Sequence, residues 1–308
     1  MRAVQAQHKA FQAAKAAHPF ADALAGLTDA SRSASERPRI KFMSRDFGNG
    51  HREAVVMRVI PDPSDTLDRA IERDLRAIAP RGLGDREKSQ ESAARRAKQE
   101  VRHKCKTMGI NALWTLTFRE NVMDREVALR CLDRFRRKVA SVIPGWRYIA
   151  VLEKQARGAY HVHIATHALP MRLTDKGVKV KSWAVMRGIW RSVAGKLGGN
   201  FDEAKRKGRW GTGKPMRGAG AIARYIAGYV AKDMRESELN RKRYSASKGI
   251  EVPDAYRALF DGETSMAELI TMAYAAVGDN VVTRWYDADR GVFFIETDDS
   301  GLRTPLPV

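Results

Sequence analysis

Trp146-Arg-Tyr-Ile-Ala-Val-Leu-Glu153 and Tyr160-His-Val-His-Ile-Ala-Thr-His167 are two apolar, β-prone runs separated by Lys-Gln-Ala-Arg-Gly-Ala at 154–159. Runs of this length around a short Gly-containing connection predict a β-hairpin. In a strand, alternate side chains share a face, so His161 and His163 lie side by side, with His167 on the same face by parity. Glu153 ends the first strand, and the turn returns it close to the two histidines. A polar sheet face would explain the histidines alone. Two same-face imidazoles beside a carboxylate are also natural ligands for a divalent cation, and with open positions that set suits Mn²⁺ or Mg²⁺ acting on a phosphate oxygen. His167, at the strand end, is a reserve ligand or a bystander.

Outward from this hairpin the pattern stays legible. Leu113–Phe118 (LWTLTF) alternates as a strand. Asp124–Ile143 places Val127, Leu129, Leu132, Phe135, Val139 and Val142 at helical spacing and stops at Pro144-Gly145. Lys181–Leu197 is a second amphipathic helix, Asn200–Ala204 a weak strand, Lys205–Gly218 a Gly- and Arg-rich loop, and Ala219–Met234 a third helix. The order β-α-β-β-α-(β)-α predicts an α+β fold, an antiparallel sheet with helices mainly on one face. Upstream lie a basic helix over Ser89–Met108, a helix over Thr66–Ile78, a strand over Glu53–Val59, and a helix and linker within 1–40. The expected organisation is an accessory region at 1–84 with a helical N-terminal extension, a central domain at 85–250 and an acidic extension at 251–308.

Charge follows the same division. The 308 residues carry 56 Lys+Arg against 36 Asp+Glu, net +20. Residues 101–250 hold 33 basic and 11 acidic side chains, whereas 251–308 hold 4 and 11. A basic field confined to one segment is the footprint of a phosphate-backbone binder, although a solubilising surface would look the same. The acidic tail either folds back on the basic face or extends from it. Cys105 and Cys131 are too few for a disulfide framework or a four-thiolate zinc site. No apolar stretch is long enough to span a bilayer and no secretory leader opens the chain, so the expectation is a soluble, intracellular protein with no membrane partner.

The third helix carries Tyr225-x-x-x-Tyr229-x-x-Lys232, and these spacings put all three side chains on one helix face. Tyrosines at helical spacing serve as core-edge residues in many proteins, with a lysine snorkelling beside them. A tyrosine can equally attack phosphorus, aided by a nearby cation. One tempting run fails: Gly208–Pro215 (GRWGTGKP) has phosphate-loop spacing up to Lys214, but Pro215 replaces the required Ser/Thr. No ATPase is expected.

Taken in order, Thr115-Leu116-Thr117-Phe118, His161-Val162-His163 with Glu153 upstream, and Tyr229-Val230-Ala231-Lys232 resemble the three motifs of the HUH endonucleases. The closer likeness is to the Rep-type initiators of rolling-circle replication in phages and plasmids. Tyr225 stands where a two-tyrosine subset has its second tyrosine. The run Leu152–His167 (LEKQARGAYHVHIATH) looks like the Glu-x-Gln-x-x-Gly-x-x-His-x-His block of phage-type members. The resemblance covers roughly residues 85–250. It implies a ferredoxin/RRM-like HUH core and a metal site of Glu153, His161 and His163 holding Mg²⁺ or Mn²⁺. It also implies nucleophiles Tyr225 and Tyr229 assisted by Lys232, and site-specific nicking and rejoining of single-stranded DNA at a replication origin through a 5′-phosphotyrosine. Host helicase and polymerase would be partners, in the bacterial cytoplasm.

On this reading Arg157, Lys205, Arg206, Lys207, Arg209 and Arg217 contact the DNA backbone and Trp210 stacks on an unpaired base. Competing readings are an HUH transposase or relaxase, and a non-catalytic basic module that coats single-stranded nucleic acid.

Overall fold

The computed structural model describes residues 39–59, 86–175, 177–205, 218–236, 243–260 and 264–297; for 86–88, 175, 205, 218 and 231–236 it describes the backbone alone. The helices expected within 1–38 and over Thr66–Ile78, and the loop 206–217, lie outside the described residues.

The central sheet is built from β3 (Ala112–Phe118), β4 (Ile149–Lys154), β5 (Tyr160–Thr166), β8 (Gly198–Lys205) and the short β9 (Ser245–Ala246). Its order is β8-β3-β5-β4-β9, with every neighbour antiparallel. Two helices complete its βαββαβ unit: α2 (Arg125–Val142) between β3 and β4, and α3 (Ser182–Ala194) between β5 and β8. This α+β arrangement, with the first and third strands central, is ferredoxin-like. A small hairpin, β6 (Arg172–Asp175) with β7 (Val178–Lys181), is inserted before α3.

Local chemistry explains the boundaries. Asp124 caps α2, its carboxylate accepting from the amides of Glu126 and Val127. Gly145, at φ +73°, turns the chain after that helix. In the β4–β5 turn Gly158 takes φ +84°, a conformation that suits glycine.

One face of the sheet presents Trp114, Leu116, Leu152, Val162 and Ile164 to α2 and α3, where Phe135 and Trp190 complete an aromatic core. The opposite face presents Leu113, Ile149, Val151 and Ala165 to α1 (Arg86–Met108) and α4 (Gly218–Glu236). The expectation of helices mainly on one face therefore needs a correction: α2 and α3 share a face, but α1 and α4 cover the other. The reason is visible in the strands, which are apolar at successive positions rather than strictly alternating, as a sheet buried on both sides requires. Val101 and Cys105 of α1 and Ile222, Ile226 and Val230 of α4 supply the matching apolar surface.

A second sheet, order β10-β1-β2-β12-β11, combines β1 (Arg39–Asp46) and β2 (Arg52–Val59) with β10 (Tyr256–Phe260), β11 (Val281–Asp287) and β12 (Val292–Thr297). One of its faces packs Ile40, Phe42, Ala54, Val56, Phe293 and Ile295 against Leu269, Ala273 and Val277 of α5 (Met266–Val277). A capping box between Ser265 and Glu268 starts that helix. Strands from the accessory region and from the acidic extension thus meet in one sheet. Among the described residues, no helix is long and apolar enough to cross a membrane.

Candidate active site

The β4–β5 register sets Glu153 opposite His161 and Val151 opposite His163, and β3 brings Thr115 opposite His163 from the other side. These side chains share the sheet face on which α4 lies. Glu153 Oε2 is 2.7 Å from His163 Nε2, and Thr115 Oγ1 is 3.2 Å from His163 Nδ1. The buried His163 ring is thereby held at both nitrogens. His161 Nδ1 lies 3.0 Å from Gln155 Nε2, a contact made because the turn curls back over the start of β5.

Helix α4 is anchored by its buried residues Ile222, Ala223, Ile226, Ala227 and Val230. That anchoring places the tyrosines over the histidine. The Tyr229 ring stacks on His163 at 4.7 Å between centroids and 4° between planes. Tyr225 meets both rings edge-on, 5.8 Å from His163 and 4.9 Å from Tyr229. The Tyr229 hydroxyl donates to that of Tyr225 at 2.5 Å. The structure therefore gathers Glu153, His161, His163, Tyr225 and Tyr229 in one place.

Electrostatics sharpen what these groups can do. Burial raises the Tyr229 pKa, and the hydrogen bond to Tyr225 and the negative charge of Glu153 push it further up. Tyr229 is thus held as a phenol, and its use as a nucleophile demands that its proton be taken up as it attacks. Burial lowers the His161 pKa; Glu153 opposes that shift, while His163 and Arg157 reinforce it. A neutral imidazole has the lone pair a metal needs.

By type, one carboxylate and two imidazoles fit a divalent cation. In this arrangement Glu153 is turned onto His163 and His161 onto Gln155; among the described residues no three His, Cys, Asp or Glu side chains are gathered to hold an ion.

Other expected residues fall outside this cluster. His167 donates through Nε2 to the carbonyl of Met108 at 2.8 Å, a structural role that removes it from the reserve of ligands. Arg157 is exposed in the turn beside the histidines. Lys232 lies on α4 and Lys205 ends β8, but their side chains are outside the described residues, as are Arg206, Lys207, Arg209, Trp210, Arg217 and the run 208–215. Two ring-orienting residues carry no role legible in the sequence: Gln155, two positions after Glu153, and Thr115, within the Thr-rich strand. A Thr or Gln in a strand or turn carries no local mark of such a role; only the pairing of β3 with β5 and the closure of the turn reveal it.

Residues 111–236 match the family of replication-associated proteins of the ORF2 type. The matched stretch runs from the start of β3 to the end of α4, so it contains every member of the cluster. No curated protein and no solved structure matches the chain.

Proposed function

We propose that this protein is an initiator of rolling-circle replication that nicks and rejoins single-stranded DNA at an origin. The observation that carries the reading is the stacking of Tyr229 on His163, with Tyr225 and Glu153 at the same point. A phenol, a second phenol, an imidazole and a carboxylate converge where one phosphodiester could sit, and the match to replication-associated proteins covers all four.

In the proposed reaction a tyrosine oxygen attacks the scissile phosphorus, its proton passing to a neighbouring acceptor. The phosphorus–O3′ bond breaks, and the departing oxygen takes up a proton to leave a free 3′-OH. The 5′ end stays on the protein as a phosphotyrosine. One phosphoester replaces another, so rejoining needs no ATP.

Glu153, His161 and His163 are the residues that would hold Mg²⁺ or Mn²⁺, which when bound supplies Lewis-acid polarisation of a phosphate oxygen. Binding there requires Glu153 to leave its hydrogen bond with His163. Gln155 can turn its amide to present either oxygen or nitrogen to His161 Nδ1, and so can support the tautomer that frees Nε2. Thr115 restrains His163 from the opposite side.

Tyr225 and Tyr229 one turn apart allow one to hold an old 5′ end while the other cuts a new junction. Lys232, on the same helix, would neutralise developing charge. Arg157 at the turn, and the basic segment 205–217, would contact the DNA backbone, with Trp210 stacking on a base.

The test is incubation of the full chain with single-stranded oligonucleotides covering the replicon's own origin, with Mn²⁺ or Mg²⁺, followed by denaturing electrophoresis and mass spectrometry. The expected result is a covalent adduct on Tyr225 or Tyr229, lost with EDTA and with His163→Ala. Tight, salt-sensitive binding without any adduct would instead support the non-catalytic binding module.

A further inference from the structure

The second sheet reaches the tyrosine helix through buried charge. Lys106 of α1 is fully buried, and its ammonium donates to Glu53 Oε2 at 2.8 Å and to Glu296 Oε2 at 2.6 Å. Those carboxylates come from β2 and β12, where Glu53 and Glu296 are paired across the strands. Glu53 also receives His103 at 3.0 Å and Arg102 at 3.1 Å, both from α1. The other oxygen of Glu296, Oε1, binds the guanidinium of Arg224.

Arg224 immediately precedes Tyr225 on α4. A carboxylate that is 2% exposed therefore grips the helix at the residue next to one candidate nucleophile and one turn before the other. Charge pairs of this kind contribute little net stability relative to apolar packing, but their directional bonds can specify one arrangement among several. Helix rotation is the relevant variable here. Tyr225 and Tyr229 reach His163 from different angles, edge-on and stacked, so a small rotation of α4 exchanges which hydroxyl is advanced.

We infer that Glu296, acting through Arg224 and braced by Lys106, is a positioning residue that sets the rotation of α4 and thereby which tyrosine faces Glu153 and His163. The inference rests on the reading of those tyrosines as nucleophiles. It gives the second sheet a part in the reaction although it contributes no group to the site.

The experiment compares the full-length wild type with Glu296→Gln and Arg224→Gln. The first readout is the partition of the origin-oligonucleotide adduct between Tyr225 and Tyr229, with KM and kcat. The second, independent of activity, is ring NMR of ¹³C-labelled tyrosine, assigned with Tyr225→Phe and Tyr229→Phe. Expected in both variants are a changed Tyr225:Tyr229 adduct ratio, a kcat lower by about tenfold with KM held, and loss of the ring-current shift that His163 imposes on Tyr229; displacement of a reacting group by about 1 Å can cost on the order of 100-fold.

Should Glu296→Gln fail to fold, Arg224→Gln decides, because that side chain is half-exposed and its removal leaves Lys106 paired with both carboxylates. Equal loss of both adducts, or unchanged tyrosine resonances, would overturn the inference. If the wild type forms no adduct, the nicking reading fails, and the resonances still decide whether Glu296 positions α4.

Discussion

Replacing Lys106 by Met tests the buried charge cluster most directly. The ammonium sits between two carboxylates and is wholly removed from water. Met fills much the same volume, so the change deletes charge with little loss of packing. Glu53 would keep His103 and Arg102, whereas Glu296 would keep only Arg224, half-exposed at its outer end. Removing one partner of a buried ion pair costs about 3–5 kcal/mol, and the surviving partners argue for about 3 kcal/mol here. At roughly 2–4 °C per kcal/mol for a domain of this scale, the melting temperature should fall by about 6–12 °C. Circular dichroism melting at neutral pH reads this. A companion variant, Lys106→Met with Glu53→Gln and Glu296→Gln, removes the stranded charges and should recover part of the loss. A fall below about 2 °C in the single variant would refute the claim that Lys106 neutralises these carboxylates.

Three further outcomes follow from the same geometry. Burial opposes ionisation of Glu53 and Glu296, but the His103 hydrogen bond and the charges of Lys106 and Arg102 on Glu53, and Lys106, Arg224 and Arg102 on Glu296, hold both below the usual 4.5. Their stabilisation is present above pH 4.5 and lost as pH falls toward the lowered values, so melting temperature should drop on acidification below pH 4.5, less steeply in the triple variant. Gly199→Ala would put a Cβ 2.5 Å from the Thr117 carbonyl and 2.8 Å from the Phe118 backbone, between β8 and β3; a loss of about 1–3 kcal/mol in thermal unfolding is expected. Thr115→Val keeps the shape but removes the contact to His163 Nδ1; adduct formation should fall by about threefold to tenfold with stability within about 1 kcal/mol, measured by the oligonucleotide assay and by melting.

What sequence reveals and what it hides divide along contact distance. The β4–β5 hairpin, the helix capped by Asp124 and the Tyr-x-x-x-Tyr helix are local, and periodicity displays them. The weak strand near Asn200 lengthens into β8, pairing with β3 from Ala112 to Phe118 because the sheet edge there is otherwise open. The second sheet is hidden for the opposite reason. β1 pairs with β10 through Phe42 and Ala258, more than 200 residues apart, and alternation within Arg39–Asp46 is broken by charged and polar side chains. Glu53 and Glu296 likewise look like ordinary surface carboxylates until β2 and β12 pair. The candidate site is legible to the extent that one hairpin and one helix carry it. The stacking of Tyr229 on His163, and the roles of Thr115 and Gln155, depend on how separate elements are brought together.

The distribution of charge now has a structural meaning. The acidic C-terminal segment could have lain against the basic face or away from it, and one residue answers for both. Glu296 is drawn into the interior and meets two cations of the basic segment, Lys106 and Arg224. The pairing consumes only a small part of the surplus of 22 positive charges in residues 101–250. The remainder is left to attract a polyanion, while the few cations that are neutralised internally are those bound to the two helices covering the candidate site. Charge used to hold α1 and α4 in place is thereby separated from charge available to DNA. Salt in the range that weakens DNA binding should therefore leave the Lys106 cluster intact, because a fully buried pair is screened far less than an exposed one.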